Sequence, residues 1–64
     1  MGKVVFDRDG ESGNIFWILG AAMKILDSEC RHSDAVTMRA QVLNCDSYDE
    51  ALKVIAEYVD LEER

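Results

Sequence analysis

Sixty-four residues with thirteen acidic and seven basic side chains, a net charge of −6 and a hydrophobic share of 48% describe one small globular domain, residues 1–64. That balance disfavours direct binding to a nucleic-acid backbone, which depends on Lys and Arg displacing counterions, and the seven cations are scattered rather than gathered in a stripe. Two cysteines are too few for a disulfide scaffold, and the chain shows no leader, lipidation motif or membrane-spanning run, so a cytoplasmic protein that does not enter a membrane is expected.

Lys3-Val4-Val5-Phe6-Asp7 is a β-prone run and reads as a strand. One strand cannot satisfy its own backbone groups. Its partner is either Tyr58 to Glu62 of the same chain or a strand of a second copy. Asp7 to Gly13, DRDGESG, is a polar turn that delivers the chain into the first helix.

NIFWILGAAMKIL, Asn14 to Leu26, is the most apolar stretch, too short to cross a bilayer and without the alternation of a strand. It reads as a buried helix, capped by Ser12 or Asn14. At about 100° per residue, Ile15, Ile18, Leu19, Ala22, Ile25 and Leu26 share one face, flanked by Phe16 and Met23. The opposite side collects Trp17, Gly20, Ala21, Lys24 and Ser28, where an ordinary surface helix would be polar. Either Trp17 folds back over Gly20 and Ala21, or the three form a contact with another protein.

The helix should fade near Asp27-Ser28-Glu29, with Cys30-Arg31-His32 as connector and Ser33 capping a second helix. There Ala35, Met38 and Val42 form an apolar stripe, with Val36 and Leu43 beside it. Arg39 falls within that arc and is expected to pack its stem while carrying its guanidinium to the edge. Ser47-Tyr48-Asp49-Glu50 is a capping box that opens a third helix, with Tyr48, Ala51, Leu52, Ile55 and Val59 on one face. The alternating end, Tyr58 to Glu62, suits a closing strand.

VVFDRDG resembles the opening motif of haloacid-dehalogenase-like phosphatases, which would make Asp7 the nucleophile and Asp9 the proton shuttle. That fold needs a many-stranded parallel sheet covered on both faces, which a chain with one good strand does not build. The same turn fails as a calcium loop, because the sixth and twelfth positions counted from Asp7 are Ser12 and Ile18. Cys30, His32 and Cys45 lack the close pairing of structural zinc ligands. The expectation is no catalytic residue, no metal and no cofactor.

The run Gly13, Asn14, Phe16, Ile18, Leu19, Gly20, with the later Asp46, Tyr48, Asp49 helix start, is similar to a group of short phage and prophage proteins of unknown function. Cys45 stands where those proteins tend to carry glycine, and the resemblance implies no activity. The expected fold is a small α+β domain: a strand, three helices, and a short last strand beside the first. The expected function is protein binding, chiefly self-association into a homodimer through Trp17, Gly20, Ala21 and the strand residues Val4 and Phe6. The alternative is an acidic phage-type inhibitor whose Asp46, Asp49, Glu50, Glu57 and Asp60 cover a basic nucleic-acid-binding surface on a host protein.

Overall fold

A computed structural model describes residues 2–64, and the expected α+β architecture is the one observed. Strand β1 (Lys3–Phe6) leads through a 3-10 turn (Glu11–Gly13) into α1 (Ile15–Ser28), followed by α2 (His32–Leu43), α3 (Tyr48–Ala56) and β2 (Asp60–Glu63). The two strands lie parallel, Lys3 opposite Asp60 and Phe6 opposite Glu63. A parallel pair needs a long crossover, and the three helices supply it. Of the two partners open to the first strand, the same chain's end is the one used. It begins two residues later than the alternation suggests, because Tyr58 and Val59 still bond back to Ile55.

Helices α1 and α3 pack on the sheet and α2 packs on both of them. The core is Val4 and Phe6 from β1, Ile18, Leu19, Ala22 and Leu26 from α1, Ala35, Met38 and Val42 from α2, and Ala51, Ile55 and Val59 at the far end. No polar or charged side chain is buried among the described residues. Val4 and Phe6 therefore correct one expectation. Their side chains fill this chain's own interior, each 3% exposed, and do not reach a partner.

Asn14 rather than Ser12 caps α1: its Oδ1 accepts from Phe16 N–H at 2.8 Å. Helix α2 starts at His32 with Arg31 at its N-cap, two residues before the expected cap Ser33, and Arg31 makes no side-chain cap bond. The cause lies in how α1 stops. Cys30 takes a left-handed φ of 60°, Cys30 N–H donates to Asp27 O, and Arg31 N–H donates to Leu26 O, a Schellman closure that turns the chain at once into α2. In α3 the capping box forms in part. Ser47 Oγ accepts from Glu50 N–H, while the Glu50 carboxylate accepts from Asp46 N–H instead of closing on Ser47.

Cys30 occupies the position where glycine is favoured, since a side chain there crowds the backbone. Cys30→Gly should raise stability by about 1 kcal/mol and the thermal midpoint by roughly 4–8 °C. A melt of both proteins in reductant, showing no rise, would contradict this account of the turn.

Candidate protein-binding site

The outward flank of α1 is set by how firmly its N-terminus is held. Gly13 is pressed against the preceding turn: an added Cβ would stand 2.5 Å from Asp7 O and closer still to Arg8 O. The Tyr48 hydroxyl donates to Gly13 O, tying this point to the start of α3. The Arg8 guanidinium lies 5.2 Å from the centre of the Tyr48 ring and meets Glu63 at 3.2 Å and Asp49 at 3.5 Å. Ser12 Oγ, free of any capping duty, accepts from Asp7 N–H at 2.8 Å. With the turn anchored on α3 and β2, the phase of α1 is fixed, and Trp17 is directed outward.

Trp17 is 47% exposed and Phe16 66% exposed, on a helix whose other face carries the buried Ile18, Leu19, Ala22 and Leu26. Gly20 stands in open space, with nothing within 4 Å of where its Cβ would be. No indole atom therefore stands within 4 Å of the Gly20 Cβ position. Phe16, Trp17, Gly20, Ala21 and the Lys24 stem instead line a shallow hollow of about 320 Å³. Trp17 also borders a second hollow beside Arg8, Glu11 and Asn14 in the preceding turn.

Phe16 is the residue that the helical pattern misplaces. Lying about 100° from Ile15, it falls at the rim of the apolar arc, where one turn of phase decides between core and water. It joins a further groove of about 320 Å³ with Ile15, Val42, Leu43, Tyr48 and Ala51. Leu43 is 51% exposed there, so the apolar surface continues from α1 onto the end of α2. The sequence did carry a signal: two adjacent large aromatics cannot both face one core from one helix.

The acidic residues are arranged less simply. Asp49, Glu50 and Glu57 are exposed on and just beyond α3, with Asp46 before the helix and Asp60 after it. Lys53 is exposed on the same helix, Asp49 is partnered by Arg8, and Asp60 lies opposite Lys3. Asp7 and Asp9 serve the turn itself, Asp7 Oδ1 accepting from Asp9 N–H. Cys30, His32 and Cys45 lie apart: Cys30 at the end of α1, His32 against Asp27 at 2.7 Å, and Cys45 bonded to Gln41 O. Among the described residues no three His, Cys, Asp or Glu side chains come together as metal ligands. Arg39 is exposed. Arg31, by contrast, is held by Asp34 and Glu29 and also reaches Tyr58 O; the Asp34 hydrogen bond is the main cause that raises its pKa above the usual arginine value.

No family model, curated protein or solved structure matches this chain. Among the described residues no helix is long and apolar enough to cross a membrane.

Proposed function

We propose that this chain is a non-enzymatic, phage- or prophage-type protein that works by binding protein, in the first place a second copy of itself, through the outward flank of α1. One observation carries the reading: Trp17 is half in water beside a glycine with open space above it. Covering an indole removes a large apolar area from water, and aromatic residues are enriched in interface cores. Gly20 weakens α1 by about 1 kcal/mol relative to alanine with no neighbour in its own chain to require it. Close approach of a partner's backbone supplies that requirement. An interface of standard size takes about 800 Å² per partner, roughly a fifth of the 4206 Å² of this molecule.

Gly20→Ala and Trp17→Ala test the reading in opposite directions. Gly20→Ala should stabilise the isolated chain by about 1 kcal/mol, while the added methyl weakens association. Trp17→Ala should leave folding near wild type and lower the association constant by about tenfold or more. Sedimentation equilibrium over a wide concentration range, beside thermal melts, reads both. A wild type that stays monomeric throughout, or dimers unaffected by either change, would sink the self-association reading.

A second reading rests on the exposed carboxylates at α3: an inhibitor laying Asp46, Asp49, Glu50, Glu57 and Asp60 against a basic nucleic-acid-binding surface. Lys53 and Arg8 dilute that surface, which is why it ranks second.

A further inference from the structure

We propose that the outer edge of β2 is a docking site for an extended peptide segment of another protein, one that alternates basic and aliphatic residues and adds to the sheet as a third strand. This surface is separate from the α1 flank and does not depend on it.

The two edges of the sheet are not equivalent. Arg64 N–H donates to Phe6 O at 2.9 Å, and with Phe6 opposite Glu63 this sets the bonding direction of every residue in the pair. Asp60, Glu62 and Arg64 turn their backbone groups toward β1, so Leu61 and Glu63 turn theirs away. Neither Leu61 nor Glu63 has a partner for those groups among the described residues. The far edge of β1 is closed at its end by the turn, where Asp7 N–H donates to Ser12 Oγ and Gly10 N–H donates to Asp7 O. By the same alternation Lys3 and Val5 turn their backbone groups to the far side of β1, so both edges carry unpaired groups, and it is the edge of β2 that adjoins an apolar groove.

Beside that edge lies an apolar groove of about 250 Å³ between the sheet and α3, formed by Phe6, Leu52, Ala56 and Leu61, with Lys53 and Glu63 at its rim. A strand added to β2 would direct alternate side chains over this groove and the others along the opposite face. Aliphatic residues suit the first set. The second set would run beside Asp60, which makes no ion pair among the described residues, and beside Glu62, which already holds Lys3 at 2.9 Å, so Lys or Arg suits the position beside Asp60. Three of the four residues of β2 are carboxylates, so the same edge of a second copy would bring like charges opposite one another. The occupant is therefore a basic partner segment and not another β2. Strand addition of this kind gains its affinity from main-chain hydrogen bonds and its selectivity from alternate side-chain pockets.

The test titrates the full chain with a blocked heptapeptide alternating Lys with Val and Leu, following backbone amide resonances. Two control peptides accompany it: one with Glu for each Lys, and one N-methylated along a single bonding edge. The expected result is binding of the basic peptide with the largest changes at Leu61 and Glu63. Both controls should bind about tenfold or more weakly, the loss expected for two or so hydrogen bonds or for reversed charge. Ala56→Lys, an exposed site that places a long side chain in the groove, should weaken the basic peptide to a similar degree. Equal binding of the N-methylated peptide, changes confined to Phe16 and Trp17, or no binding at all would each overturn the proposal, the last meaning that the carboxylates only guard the edge.

Discussion

Gly13→Ala should destabilise the fold by about 2–3 kcal/mol and lower its thermal midpoint by roughly 10–20 °C. The reason is steric. An added methyl would meet the carbonyl groups of Asp7 and Arg8 well inside contact distance, and these are backbone atoms that cannot swing aside. The turn would have to open, carrying with it the acceptor of the Tyr48 hydroxyl and the Arg8 contacts to Tyr48, Asp49 and Glu63. Tyr48→Phe, which deletes only the hydroxyl, should cost about 1 kcal/mol. The comparison with Gly20→Ala is the sharper control, since one methyl is added in each case. A Gly13→Ala protein that melts with wild type would show that the turn does not hold the start of α1.

Leu26→Ala should cost about 3–5 kcal/mol. Leu26 is wholly inaccessible on the inner face of α1, and truncation leaves a cavity among neighbours that cannot collapse into it fully. A domain of this length has a total stability of only about 3–10 kcal/mol at typical values per residue. The variant should therefore be partly unfolded at 25 °C, visible as a lost denaturant plateau in urea titration. Phe16→Ala removes a larger side chain from the same helix, yet two thirds of that residue already faces water. Its effect on folding should stay within about 1 kcal/mol. If Phe16→Ala proved the more damaging of the two, the assignment of inner and outer faces of α1 would be wrong.

The contrast between Leu26 and Phe16 also marks how far the sequence can be read. The inner face of α1 follows from helical spacing alone, because Ile18, Leu19, Ala22 and Leu26 recur at that period. The Ser47 cap and the last strand follow from local chemistry. What spacing could not supply depends on distant partners. Val4 and Phe6 looked available to another chain because a lone strand gives no sign of which face it buries. The start of α2 depends on the left-handed turn at Cys30, a residue that nothing in the sequence marks for that conformation. Gly13 looked like ordinary turn punctuation, and only the fold shows two carbonyls pressed against it. The partner flank around Trp17 was visible as an anomaly in the pattern. Its continuation through Phe16 to Leu43 requires two helices to be brought side by side.

The pairing of β1 with β2 carries a consequence for synthesis. Lys3 and its ion-pair partner Glu62 are 59 positions apart, and almost everything between them must be in place before they meet. On a nascent chain the helices can form and pack as they emerge, but the first strand stays unpaired until residues 60–63 have been made and released. A chain cut short before Asp60 would keep the segments of all three helices but leave its KVVF segment without a sheet partner, exposed to chaperones or to its neighbours.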